Sequence, residues 1–399
     1  MVNMYIPRHL AETFTSAIAT FPAVLITGPR QAGKSTFIQH MLKDAPYVTF
    51  DDPLNRQFAM DDPNGFLDQF KDGQVIFDEV QYVPQLLQYI KMRIDRNRTP
   101  GLWIMTGSQQ FHLMKSLGET LAGRIAILEL APFAINEIQT LGKSLEEIVW
   151  TGLFPEPACE PAKRDLWIKS YIQTYLERDV RQLENIRNFH AFEAFINLCS
   201  AHHAQEFHPA RLAGNCGVSQ PTIKAWLKIL EVSYLCYLLP PFYDNFGKRI
   251  IKAPKFYLTD PSLVCFLTRQ PSPESTLRGS MAGALFEGLM VSEAWKCFLQ
   301  AGLKPALYFW RSQSGLEIDL LIQARAKLWP VEIKLTATPS VHHVTSMNRF
   351  KEMVGPNKAG DGTLVCNISQ KKKLPGNCTA LPWFEFSKWL QNLLSTETE

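Results

Sequence analysis

The chain has 399 residues, 46% hydrophobic and 20% charged, a globular composition with room for two or three domains. A net charge of +3 neither demands nor excludes nucleic acid, so local patches must carry that question. Eight scattered cysteines without a CxxC pair argue against a zinc site or disulfide framework. No stretch approaches the roughly 18 apolar residues of a membrane span. The N-terminus has no long apolar run, so a cytoplasmic protein without membrane contact is expected.

The first part alternates apolar runs with helical stretches. AVLIT precedes a helix from about Lys34; YVTFD, QVIFDE, LWIMTGS and RIAILEL follow. This alternation predicts a parallel α/β sheet. After the first run comes GPRQAGKST, residues 28–36, which fits the phosphate-binding pattern GxxxxGK[ST]. In such a loop, backbone N–H groups cradle phosphates at a helix N-terminus, where the helix dipole also favours anions. The candidate nucleotide contacts are Gly28, Pro29, Arg30, Gln31, Ala32, Gly33, Lys34, Ser35 and Thr36. Gly28 and Gly33 permit the turn, Lys34 reaches the β- and γ-phosphates, and the Ser35 hydroxyl ligates Mg²⁺. The third run ends in Asp78-Glu79. Asp78 would hold Mg²⁺, and Glu79 would polarise an attacking water. The fourth ends in Thr106 and Ser108, where Thr106 is either a γ-phosphate sensor or an ordinary polar strand end. Arg124, in LAGR, is either a transition-state arginine, acting in this chain or on a neighbouring subunit, or a surface arginine.

From about Pro132 to Asn188 the pattern turns helical, with Glu177, Arg178 and Asp179 expected to pair along a helix. RLAGNCGVSQPTIKAWLKILE reads as a helix-turn-helix. Leu212 and Ala213 pack the first helix, Gly217 turns, Ser219 caps, Pro221 is tolerated in the first turn, and Ile223, Leu227 and Leu230 form one buried stripe. Thr222, Lys224 and Lys228 face outward. Lys248, Arg249, Lys252 and Lys255 would form a basic wing. This module either contacts DNA phosphates or is a structural scaffold. His202 and His203, near His208, read as surface residues at a helix end. TRQPSPESTLRGS has the composition of a linker.

The last part predicts a helix, three strands, a helix and a strand. Glu287 lies on the leading helix, Asp319 in the strand EIDLLI, and Glu332 and Lys334 in VEIK. Residues two apart in a strand share a face, so Glu332 and Lys334 face together, across from Asp319. Two close carboxylates repel unless a cation joins them, and Mg²⁺ suits such oxygens. Lys334 would then orient or deprotonate water, and Glu317 is a candidate outer ligand. The same groups also fit an inactive buried network. Lys371, Lys372 and Lys373 read as a solvated turn.

On GPRQAGKST, VIFDEVQ, TGSQQF, LAGR, GLFPEP, YIQTYLERDV, FGKRIIKAPKFYLTD, FEGLMVSEAWK, YFWRSQSGLEIDLLI and VEIKLT, the chain resembles a prokaryotic family of AAA-type ATPases with a C-terminal domain of unknown function. That domain resembles the restriction-endonuclease-like PD-(D/E)xK superfamily. The resemblance implies ATP binding and hydrolysis with Mg²⁺. Leu153 stands where the family usually has a second glycine before the aromatic, which questions that turn. The expected organisation is an α/β protein: a P-loop AAA-type parallel sheet over 1–131, a helical lid over 132–190, a winged-helix domain over 191–272 and an α/β restriction-endonuclease-like domain over 273–399. DNA, a protein partner and a second copy of the chain are the candidate partners. A nucleotide-switched protein-interaction or regulatory module without nuclease activity is the alternative.

Overall fold

The five apolar runs of the N-terminal part become β1 (Ala23–Thr27), β2 (Tyr47–Thr49), β3 (Val75–Asp78), β4 (Trp103–Thr106) and β5 (Ile125–Glu129). They form one parallel sheet in the order β2-β3-β4-β1-β5. Period-two alternation sends Val24 and Ile26 of β1 to one face and Ala23 and Leu25 to the other. The first face packs on Leu10, Phe14, Phe37 and Ile38. The second packs on Phe77, Leu87, Ile90 and Met105. A strand covered on both faces reads as a continuous apolar run, which is why AVLIT shows no polar alternation. The computed structural model describes residues 5–71, 73–107, 121–176, 189–242, 253–312 and 314–395. Ser108, Glu177, Arg178, Asp179, Lys248, Arg249 and Lys252 lie outside these.

Chain contacts divide the protein into two units. One comprises residues 1–133, 232–234 and 299–303, and the other comprises the remainder. In the second unit, the helices Leu145–Thr151, Pro155–Cys159 and Arg164–Tyr171 come first. The turn at Leu153 holds without the second glycine. Gly152 takes φ +73°, and the Leu153 N–H donates to Asp260 Oδ2 at 2.8 Å with the Leu153 side chain fully buried. The helices Phe189–Ala201, Pro209–Cys216 and Gln220–Val232 precede an antiparallel three-stranded sheet. It is built from β6 (Gln205–Glu206), β7 (Cys236–Leu239) and β8 (Lys255–Leu258) in the order β6-β8-β7. Gly217 ends the second of these helices at φ +65°, and the Ser219 Oγ accepts from the Thr222 N–H at 3.3 Å, as the turn chemistry predicts.

Three expectations are corrected here. His203 is buried, not a surface residue. Its Nδ1 accepts from the Leu258 N–H at 3.1 Å, and burial pushes its pKa down to about 3, so it stays neutral. The expected linker contains the helix Pro273–Thr276, with Thr276 fully buried; proline at a first turn behind a serine is also helix-start chemistry. Lys372 and Lys373 belong to an edge strand rather than a turn, and lysines there discourage edge-to-edge pairing.

The C-terminal sheet has six strands in the order β13-β14-β12-β11-β10-β9. They are β9 (Leu307–Arg311), β10 (Glu317–Ala324), β11 (Lys327–Lys334), β12 (Gly362–Cys366), β13 (Lys372–Leu374) and β14 (Cys378–Pro382). The predicted helix–three strands–helix–strand order is present, with β13, β14 and a last helix, Phe386–Ser395, added. β10 and β11 form an antiparallel hairpin. Its two turn residues, Arg325 and Ala326, have φ +51° and +56°, the left-handed pair that a tight two-residue turn requires. The helix Ala282–Gln300 leads into this sheet with a buried ion pair between Glu293 and Lys296. The Glu293 carboxylate also accepts from the Ile135 N–H and the Ser387 hydroxyl, both at 2.8 Å, so this buried charge is paired and hydrogen-bonded.

Candidate functional site

The phosphate-loop residues connect β1 to the helix Lys34–Met41. The loop's conformation explains its glycines. Gly28 takes φ +142°, and a Cβ there would overlap the Leu130 carbonyl of the chain leaving β5. Gly33 takes φ +90° at the helix start. The Lys34 ammonium folds back on the loop and donates to the carbonyls of Gly28 at 3.1 Å and Pro29 at 2.9 Å. Burial lowers its pKa to about 8, against the opposing pull of Glu79 and Asp78.

At the ends of the neighbouring strands, Asp78 collects the expected partners. Ser35 Oγ donates to Asp78 Oδ1 at 3.0 Å, and the Thr106 hydroxyl donates to the same oxygen. Thr106 Oγ1 in turn accepts the Glu79 N–H at 3.0 Å. Glu79 has φ +59°, a left-handed conformation that a non-glycine residue adopts only where its surroundings enforce it, and its carboxylate accepts from Gln81. Lys34, Ser35, Asp78, Glu79 and Thr106 therefore converge, and Thr106 is integral to the group. A serine hydroxyl and a carboxylate at hydrogen-bond distance beside a phosphate loop are the donor set that suits a nucleotide-bound Mg²⁺.

Arg124 does not join them. Parallel pairing puts Ile125 beside Ala23, the first residue of β1, while the phosphate loop follows Thr27 at the other end. Its guanidinium pairs with Asp95 at 2.5 Å. The expectation that it acts on this chain's own nucleotide is thus overturned by its place at the opposite strand end.

Two further residues escaped the sequence pattern. Tyr47, on β2, donates to Asp78 Oδ2 at 2.6 Å; burial and this bond raise its pKa. Arg8 is buried and donates to the carbonyls of Ala32 at 2.9 Å and Ala131 at 2.5 Å, tying the loop to the segment after β5. Arg8→Ala leaves two buried carbonyls short of a donor, and a loss of about 2–3 kcal/mol in chemical denaturation is expected.

The C-terminal unit carries a second group. Lys334 pairs with Asp319 and Glu332, each at 2.9 Å, and Asp319 also accepts the Ile333 N–H at 3.0 Å. Glu287 accepts from Tyr257 at 2.6 Å and pairs with Lys255 at 3.1 Å. Lys255 also pairs with Glu317 at 2.7 Å, and Arg311 links Glu317 at 2.7 Å to Glu206 at 2.5 Å. Lys255 and Tyr257, two apart on β8, share a face, so the strand presents both to Glu287. Lys255 is 5% exposed. Its expected place in a basic wing is corrected: a lysine buried against two carboxylates does not reach a phosphate backbone.

Burial, then the Asp319 charge, raises the pKa of Glu332 to about 8 against the pull of Lys334. The same two causes raise Glu287. Burial tends to lower Lys334, but Asp319 and Glu332 prevail and raise it. Glu287, Asp319, Glu332 and Lys334 thus lie in one electrostatic neighbourhood. Among the described residues the buried Glu332 Oε2 has no hydrogen-bond partner, and an unpaired buried acceptor suits a cation. Among the described residues, however, no three acidic, histidine or cysteine side chains stand in a metal-holding arrangement.

A five-stranded parallel sheet with a phosphate loop after β1 and an acidic pair at the end of β3 defines the N-terminal unit as an AAA-type ATPase domain, and the family described as "AAA domain" matches residues 20–139. Two domains of unknown function, DUF8612 and DUF4143, match residues 142–274 and 282–386. The chain belongs to the same family as Rv2008c of Mycobacterium tuberculosis and Mb2031c of Mycobacterium bovis, each described as an uncharacterized protein. It is 32% identical to each over 340 residues, covering 84% of this chain and 75% of theirs. Among solved structures, the Walker-type ATPase PABY2304 of Pyrococcus abyssi is similar over 66% of this chain and 96% of its own, with 16% identity and a TM-score of 0.45. No helix among the described residues is long and apolar enough to cross a membrane.

Proposed function

We infer that the protein is a Mg²⁺-dependent ATPase whose nucleotide state is coupled to a DNA-binding or nuclease-like C-terminal half. The observation that carries the ATPase is the hydrogen-bonded chain Ser35–Asp78–Thr106–Glu79 beside a buried Lys34. Lys34 would exchange its loop carbonyls for the β- and γ-phosphates, and the N–H groups of residues 28–36 would line them. Ser35 and Asp78 would hold Mg²⁺, which supplies charge neutralisation on the phosphates. Glu79 would take a proton from the attacking water, and Thr106 would fix the Glu79 backbone.

The proposed organisation is ATPase core 1–131, helical lid 132–190, winged helix 191–272 and restriction-endonuclease-like domain 273–399. Helix-turn-helix packing supports the third: Leu212, Ala213, Ile223, Leu227 and Leu230 are all buried while Lys224 and Lys228 are exposed. Convergence of Glu287, Asp319, Glu332 and Lys334 supports the fourth. A second copy of the chain remains the setting in which Arg124 would meet a nucleotide.

The testing experiment is phosphate release by purified protein with Mg²⁺, beside Glu79→Gln. The variant is expected to bind ATP like the wild type but to lose turnover by on the order of 10²–10⁴, the usual weight of a positioned base. Equal turnover in the two would sink the assignment. The alternative, a nucleotide-switched interaction module that cuts nothing, is favoured by one observation: the C-terminal carboxylates are already compensated by Lys255, Lys334 and Arg311. Incubating plasmid with the wild type and Asp319→Asn in Mg²⁺ or Mn²⁺ separates the readings.

A further inference from the structure

Two lysines divide the four C-terminal carboxylates into pairs. Lys334 holds Asp319 with Glu332, and Lys255 holds Glu287 with Glu317. The lysines have different origins. Lys334 lies on β11, in the same sheet as Asp319 and Glu332. Lys255 comes from β8, in the separate three-stranded sheet. It is aimed into the acidic group, with its ammonium 5.6 Å from the centre of the Phe309 ring. β6 of that sheet also reaches the site, because its Glu206 pairs with Arg311, the other cation on Glu317. Meanwhile, among the described residues, the buried Glu332 Oε2 has no hydrogen-bond partner.

We propose that Lys255 is a resident cation that keeps Glu287 apart from Asp319 and Glu332, so that a divalent cation binds the carboxylate centre only when Lys255 is withdrawn. This rests on the nuclease-like reading of the centre and adds its regulation. A hard divalent ion needs several oxygens converging on one point. With Glu287 engaged by Lys255 and Tyr257, the centre offers Asp319 and Glu332 alone, and two nearby ammoniums repel an incoming ion. Withdrawing Lys255 frees an oxygen ligand and removes one repelling charge together. The lever is the three-stranded sheet: a ligand that shifts β6 and β8 against β9 and β10 opens the centre, and this makes metal loading answer to whatever the helix-turn-helix module binds.

The test is Mn²⁺ titration of the full, nucleotide-free chain, followed by the paramagnetic signal of free Mn²⁺. The proteins are the wild type, Lys255→Met, Lys255→Arg, Glu332→Gln and the Lys255→Met/Glu332→Gln double variant. Lys255→Met is expected to tighten Mn²⁺ binding by on the order of tenfold or more, with Lys255→Arg at the wild-type level and the double variant cancelling the gain. In chelator, Lys255→Met should melt lower than the wild type and recover when Mn²⁺ is added, because Glu287 has lost its cation and Glu317 keeps only Arg311. If Lys255→Met loses its far-ultraviolet circular dichroism, Lys255→Gln carries the same expectation. Unchanged or weaker Mn²⁺ binding on removing Lys255 overturns the proposal. If the wild type then still binds Mn²⁺ through Glu332, the metal centre stands and Lys255 is only a structural pair. No Glu332-dependent binding in any variant refutes the centre itself.

Discussion

Lys34→Ala is expected to abolish measurable ATP turnover. The substitution removes the phosphate-loop lysine, whose ammonium is buried and held by the Gly28 and Pro29 carbonyls. Losing a preorganised donor aimed at developing charge costs on the order of 10²–10³ in rate. Loss of phosphate attraction in the bound state adds to that, so phosphate release should fall to background while folding persists. Turnover like that of the wild type would remove the loop from the mechanism. The same lysine predicts a pH dependence. Its pKa in the free protein is about 8, and phosphate oxygens beside it would raise that value. Binding therefore takes up a proton above pH 8. ATP affinity should be flat below about pH 8 and weaken above it, approaching about tenfold per pH unit from this group. Titrating ATP between pH 7 and 9.5 checks the sign, and Lys34→Ala should flatten the profile.

The nucleotide site was readable because its chemistry is local. Gly28, Gly33, Lys34 and Ser35 fall within nine residues, and the strand before them is buried on both faces, so motif and periodicity agree. The partners that steady the site were not readable. Arg8 acts on Ala131, and Tyr47 acts on Asp78; both meet their targets only after the sheet has formed. Arg124 failed for the same reason: strand direction places it at the far end of β5, and nothing in LAGR reveals that. In the C-terminal unit, period-two alternation correctly put Glu332 and Lys334 on one face. It said nothing of Lys255, which reached the acids from another sheet and looked, among its basic neighbours in sequence, like part of a surface wing.

Asp319 tests fold and chemistry together, and two substitutions separate them. Its carboxylate is nearly buried and accepts from both the Ile333 N–H and Lys334. Asp319→Ala leaves the backbone donor unmet and Lys334 with only Glu332. Lys334 is 41% exposed, so water tempers its share, and a loss of about 2–3 kcal/mol in urea unfolding is expected. Asp319→Asn keeps an acceptor for Ile333 and should lose only about 1 kcal/mol, while removing the charge that raises Glu332. The Glu332 pKa, about 8 in the wild type, should then fall. Because it stands above the unfolded value, protonated Glu332 contributes stability that is fully present below the unfolded pKa near 4.5 and lost as pH rises through about 8. The wild type should therefore lose stability across that window, and Asp319→Asn should lose less of it. Metal-dependent cleavage shown by the wild type and absent from well-folded Asp319→Asn would assign the carboxylate to chemistry. A pH–stability slope identical in the two proteins would show instead that Asp319 does not set the charge state of Glu332, and the pair would then be two separate ion contacts of Lys334.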